Sequence, residues 1–253
     1  MMAPSDMTGK VALVTGAAAG LGQATAIRLA QVGADVAITD IAEDGLAHTA
    51  GEIVKLGRRA LLLPLDLSDR ANCRLAVERT VAELGRLDAL CNVAGVMLPG
   101  PTTEMTDAEW DLTLAVNLSA PFFTIRAALP HLLEAKGAIV NVTSCAAFKG
   151  QAYFAAYCAT KSALTNMTKA LAMEYMHQPI RVNAVAPGGM MTGLTHGMAR
   201  LKDCDRSLIA RIGSPRGLCE IEDVAECVAF LATDAARGYH GACIQIDAGV
   251  TAG

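Results

Sequence analysis

The chain has 253 residues, 53% of them apolar and 18% charged, with a formal net charge of −4. That composition is too hydrophobic for a disordered chain, and an acidic balance without a Lys/Arg cluster gives nucleic acid no counterion-release foothold. Met1 to Lys10 carry neither the basic nor the apolar region of an export signal, and no later apolar run is expected to approach the length of a membrane span, so a cytoplasmic protein with no membrane partner is expected.

The length suits one α/β domain over 1–253. Short β-prone runs are read at Val11 to Thr15, Asp35 to Thr39, Ala60 to Leu63, Ala89 to Asn92, Ala138 to Val142, Arg181 to Ala186 and Ala242 to Asp247. Helical stretches lie between them, among them Leu21 to Gln31, Arg70 to Leu84, Ala108 to Leu133, Ala155 to Tyr175 and Ile221 to Ala232, several opened by Asp or Ser. Continuous apolar strands alternating with helices predict a doubly wound parallel sheet of about seven strands, a Rossmann-type three-layer sandwich with ligands at the carboxyl edge. Only Pro187 to Pro215 breaks the alternation.

The first strand runs into Thr15-Gly16-Ala17-Ala18-Ala19-Gly20-Leu21-Gly22 and then a helix. Gly16, Gly20 and Gly22 let the backbone turn and approach a pyrophosphate, which the helix N-terminus stabilises. Eighteen positions after Gly22, Asp40 ends the second strand. A carboxylate there accepts hydrogen bonds from both hydroxyls of an adenosine ribose and repels a 2′-phosphate, by about 4 kcal/mol at ~4 Å and an effective dielectric near 20. NAD is therefore expected over NADP, although Asp40 also stands where it could cap the acidic stretch at Glu43 and Asp44.

Tyr157 and Lys161 are one helical turn apart, and Ser144 follows the fifth strand, thirteen residues before Tyr157. A phenol acts as a base near neutrality only if its pKa falls by ~3 units, about 4 kcal/mol of charge stabilisation, which a Lys ammonium and an oxidised nicotinamide can supply together. Ser144 would hold the substrate oxygen. Eight scattered cysteines without a C-x-x-C pair are read as reduced core residues, and five unclustered histidines give no metal site.

Taken with the glycine loop, these residues resemble the short-chain dehydrogenase/reductase family over Lys10 to Gly249. The resemblance identifies Thr15 to Gly22 with the family's T-G-x-x-x-G-x-G loop, Leu21 included, and Ser144, Tyr157 and Lys161 with its triad. It implies that Asp66, with Leu67, bonds the adenine amine. Asn92, Ala94 and Gly95 would belong to the N-N-A-G segment, with Val93 departing from the pattern. By the same resemblance Asn117 positions a relay water beside Lys161 through its carbonyl or side chain. Pro187, Gly188, Met190 and Thr192 form the turn that binds the carboxamide and phosphates, with pro-S hydride transfer, and Asp247 to Gly249 help to build a homotetramer. The family also implies a lid over about 187–215. Its Met190, Met191, Leu194, Met198, Leu201, Leu208, Ile209 and Ile212 suggest an apolar alcohol or ketone as substrate, while Arg200, Lys202, Arg206 and Arg211 read as a solvated face. Two alternatives stand beside this reading, an NADPH-linked 3-oxoacyl thioester reductase and a nucleotide-binding scaffold without catalysis.

Overall fold

The computed structural model describes residues 5–252, and at 194–196 the backbone alone. The side chain of Leu194, assigned above to the lid's apolar face, and that of His196 lie outside the described residues, as do Met1 to Pro4. Seven parallel strands form one sheet: β1 (Val11–Thr15), β2 (Asp35–Asp40), β3 (Ala60–Pro64), β4 (Ala89–Asn92), β5 (Ala138–Val142), β6 (Arg181–Pro187) and β7 (Cys243–Ile246). Their order is β3-β2-β1-β4-β5-β6-β7. Every strand pairs in parallel, as expected for runs buried on both faces.

Side chains alternate between two cores. Ala12, Val14, Val36, Ile38, Cys91 and Val140 meet α1 (Gly20–Gln31), α2 (Glu43–Lys55) and α8 (Ile221–Ala232). Val11, Leu13, Ala37, Leu61, Leu90 and Ile139 meet α3 (Arg70–Leu84), α5 (Ala120–Ala135) and α6 (Ala155–Glu174). The period of two fixes which residues face which helix layer. Because β2 and β4 flank β1 on opposite sides, the chain reverses its order there and leaves a crevice beyond the carboxyl ends of β1 and β4.

The stretch read as one helix, Ala108 to Leu133, is α4 (Asp107–Leu114), a π-helical turn (Ala115–Ser119) and α5. A full capping box starts α4, with Thr106 accepting from Glu109 N and the Glu109 side chain returning the bond. The expectation that no apolar run approaches a membrane span is corrected here. Helical residues Asp107–Ala135 are long and apolar enough by length and composition, and 44% of the apolar 18-residue window within them is buried inside the protein. One face of this helix packs on α3 and the sheet, which accounts for much of its apolar content. The seventh strand stops at Ile246, since the Asp247 carboxylate turns to accept from Gly249 N and Thr251 N, both at 3.0 Å. Between β6 and α8 the chain forms a 3₁₀ segment (Gly193–Leu201) and α7 (Arg206–Ala210).

Candidate active site

Gly16 and Gly20 have φ of 68° and 55°. A Cβ on Gly16 would lie 2.7 Å from the Ala94 Cα, and one on Gly22 2.0 Å from the Gly16 carbonyl oxygen, so only glycine lets the β1 loop close against the segment after β4. The Thr15 hydroxyl ties the two together, accepting from Val93 N at 2.9 Å and Ala94 N at 3.0 Å. No side chain caps α1, and no acidic residue stands in its first turn, which leaves an N-terminus fitted to a pyrophosphate. Leu21 is buried in the core, so any contact it makes there is through its backbone.

Asp40 accepts from Ala18 N at 3.2 Å and from Ala42 N at 3.1 Å, and so reaches both the glycine loop and the approach to α2. Asp66 is exposed and accepts from Ser68 N at 2.8 Å, while Leu67 is buried beneath it. Asn92 behaves differently from its neighbours. Its side-chain amide donates to Asn141 Oδ1 at 2.9 Å and its oxygen accepts from Thr124 at 2.8 Å, inside the protein, so only its backbone faces the crevice edge. Asn141 in turn donates to Thr168 Oγ1 at 3.0 Å. Gly188 packs so tightly on β7 that a Cβ would lie 2.8 Å from the Asp247 Cα. Met190 packs on the core, and Thr192 stands over Gly20, 3.4 Å from where a Cβ would be. Beside this edge, α1, α8 and Met191 to Gly193 enclose a cavity of about 800 Å³.

Lys161 is 3% exposed, donates to the Val142 carbonyl at 2.9 Å and stands 5.8 Å from the centre of the Tyr157 ring. Burial pushes its pKa down to about 8, and burial pushes that of Tyr157 up to about 12, against the pull of the Ser144 hydroxyl. The protein's own groups therefore keep the phenol protonated at neutral pH: the one group that lowers it is the Ser144 hydroxyl, and the lowering expected from Lys161 together with an oxidised nicotinamide is not supplied by Lys161 alone. Ser144 ends in an extended conformation, its hydroxyl accepting from Ala146 N at 3.1 Å as it caps a 3₁₀ turn.

Asn117 lies in the π-helical turn, fully buried, with Oδ1 accepting from Val96 N at 2.8 Å and Nδ2 donating to Val96 O at 2.9 Å. A Cβ on Gly95 would be 3.4 Å from Asn117 Oδ1 and 3.5 Å from Lys161 Nζ, so these three expected residues meet at one point. The side chain is committed to the loop and to Thr160. Sequence reasoning passed over Val96, Val142 and Thr160, whose contacts with Asn117 and Lys161 arise only in three dimensions.

The apolar residues of 187–215 divide: Leu201 is buried, Met191 is largely exposed, and Leu208 and Ile212 line a second cavity of about 250 Å³ with the loop Lys149 to Ala152. Gln151 on that wall reaches the sulfur of Cys145, the residue after Ser144. Arg200, read as solvated, pairs with Glu109 of α4 at 2.7 Å.

The family model described as enoyl-(acyl carrier protein) reductase matches residues 16–251. The chain is 38% identical over 251 residues to the 2,5-dichloro-2,5-cyclohexadiene-1,4-diol dehydrogenase of Sphingobium indicum, covering 98% of each chain. It is 40% identical over 248 residues to the cis-4-hydroxycyclohexanecarboxylate dehydrogenase of Sinomonas cyclohexanicum, covering 96% of this chain and 97% of that one. Among solved structures, a short-chain dehydrogenase from Mycobacterium paratuberculosis bound to NAD superposes with a TM-score of 0.92 at 30% identity, over 98% of this chain and all of the other.

Proposed function

The chain belongs to the short-chain dehydrogenase/reductase family, and from that membership we propose that this oxidoreductase is an NAD-linked dehydrogenase of apolar, cyclic secondary alcohols. The observation that carries the choice of cofactor is Asp40, whose carboxylate reaches the glycine loop at the end of β2. The uncapped start of α1 and the glycine cradle fit the dinucleotide's phosphates, and Gly188 to Thr192 fit its nicotinamide end. When bound, the dinucleotide supplies the hydride acceptor and a positive charge beside Tyr157. The rival assignment to an NADPH-linked thioester reductase lacks a cation at the Asp40 position to meet a 2′-phosphate. Intact Ser144, Tyr157 and Lys161 speak against a silent scaffold.

In oxidation the Tyr157 oxygen takes the hydroxyl proton of the alcohol, and in reduction it returns one to the substrate oxygen. Ser144 holds that oxygen through its hydroxyl. Lys161, fixed to Val142, keeps two further donors for ribose hydroxyls and holds positive charge near the phenol. The Asn117 carbonyl positions water beside it. Leu208 and Ile212 on the cavity wall, and relatives named for hydroxylated six-membered rings, support the apolar ring as substrate. A soluble cytoplasmic homotetramer completes the reading.

The test is a panel of secondary alcohols with NAD⁺ and with NADP⁺, followed by nicotinamide absorbance. Cyclic alcohols are expected to outperform polyols and sugar acids, with kcat/KM far higher for NAD⁺, and Asp40→Asn is expected to shrink that cofactor preference at least tenfold, less than the full ~4 kcal/mol of the charge clash. Equal efficiency with both cofactors, or a preference for sugar acids, overturns it.

A further inference from the structure

Tyr153 adopts a left-handed backbone conformation, φ 72°, which an aromatic residue rarely takes and which glycine takes freely. Lys136, also left-handed, simply closes the end of α5. Tyr153 stands elsewhere, in the loop between Ser144 and α6, four residues before Tyr157. In this conformation it joins three parts of the molecule. Its carbonyl accepts from Gly100 N at 2.9 Å, in the segment that follows β4 and Gly95. Its phenol oxygen accepts from Asp205 N at 3.1 Å, at the start of α7. Asp205 is itself fixed as the cap of that helix, accepting from Ser207 N at 2.8 Å.

Strained conformations persist where the surroundings require them, and they gather at functional sites. Here the strain aims a side chain, not merely a turn, since the backbone bond to Gly100 would be available to glycine. We propose that Tyr153 is a positioning residue for the dehydrogenase reaction, holding the segment Gly193 to Ala210 over the substrate compartment and locking it to the start of the catalytic helix. The inference rests on the dehydrogenase reading above. Other attachments lie to either side: Arg200 with Glu109, and Lys149 Nζ donating to the Arg211 carbonyl at 3.2 Å. The Tyr153 bond ties this segment to the residues that lead directly into α6 and Tyr157, next to the loop Lys149 to Ala152 that lines the 250 Å³ cavity.

Tyr153→Phe removes only the accepting oxygen. The expected result is a KM for alcohol about five-fold higher, the worth of one net hydrogen bond, with kcat and the KM for NAD⁺ within about two-fold. In the NADH-saturated enzyme, trypsin should cut after Lys202, Arg206 or Arg211 about five-fold faster, with the thermal midpoint unchanged. Asp205 has φ −63°, already compatible with proline, so Asp205→Pro deletes the donor from the other side together with the carboxylate that caps α7; its own effect on cleavage should be the larger, and Tyr153→Phe should then add nothing further. An unchanged cleavage rate and KM in Tyr153→Phe, or a lowered thermal midpoint with KM intact, overturns the proposal. If the unmodified enzyme turns over no alcohol, the dehydrogenase reading fails, while the cleavage rates still decide the role of Tyr153.

Discussion

Tyr157 and Lys161 are separated by a single helical turn, yet burial drives their ionisations in opposite directions, the phenol up to about 12 and the ammonium down to about 8. Both shifts favour the neutral forms, so the phenol needs a positive charge brought by a ligand before it can act as a base near neutrality. The role of Tyr157 is then separable from binding. Tyr157→Phe should retain NADH binding, read by fluorescence titration, and lose turnover by at least ~10²-fold, since only the transferable proton is gone. Retention of more than about a hundredth of the rate would assign the proton to another group. The i, i+4 spacing was legible in the sequence. The direction of the tyrosine shift was not, because desolvation depends on what covers the ring, and that is set by residues far apart in the chain.

At the scale of elements, glycine placement separates the loop from the helices it feeds. Gly22→Ala would press a methyl group to 2.0 Å from the Gly16 carbonyl, so the β1 loop must open. Dinucleotide binding should be lost and stability should fall by about 1–3 kcal/mol, measured by NADH titration and urea unfolding. Gly51, inside α2, meets nothing within 4 Å, and Gly51→Ala should raise stability by about 0.5–1 kcal/mol with activity unchanged. These glycines also explain what the sequence disclosed. The strands were readable because two-sided burial gives unbroken Val, Leu, Ile and Ala runs, and α1 because a glycine loop must feed a helix. The π-helical turn at Ala115–Ser119 was hidden within a continuous helical pattern, since a single widened turn leaves the apolar spacing intact. Asn92 was read toward the ligand, whereas the partners that draw its side chain inward, Thr124 and Asn141, are brought beside it only by α5 and the β4-β5 pairing.

Across the whole molecule, the eight cysteines are free, three of them buried and five partly so. Burial raises the thiols of Cys73 and Cys91 from 9.0 to about 11 and about 12, and both side chains are fully enclosed. A raised folded pKa means the contribution is complete below the unfolded value and is lost as pH climbs through the folded one. Stability should thus fall above pH 9, by about 1.4 kcal/mol for each of these two thiols by one unit past it. Lys161 works oppositely, gaining about 2 kcal/mol between pH 8 and pH 10, and so offsets most of what these two thiols lose together. Urea unfolding at pH 8 and pH 10, run on the unmodified chain and on Cys73→Ala/Cys91→Ala, isolates the thiols: the pH-dependent loss should be smaller in the variant by about 2.8 kcal/mol, and an equal pH response in both would mean the thiols ionise in the folded state. Thiol titration should reach the full eight only after denaturation. The sheet holds one further consequence. Its strands are near-interchangeable runs of small aliphatic residues, so hydrophobic burial alone discriminates poorly between correct and shifted alignments. The chain Thr124-Asn92-Asn141-Thr168 is satisfied only when β4 and β5 sit opposite one another as they do, and any slippage strands amides in oil. Those four side chains serve as proofreading for the nascent chain, whose penalty falls on the misassembled forms rather than on the finished enzyme.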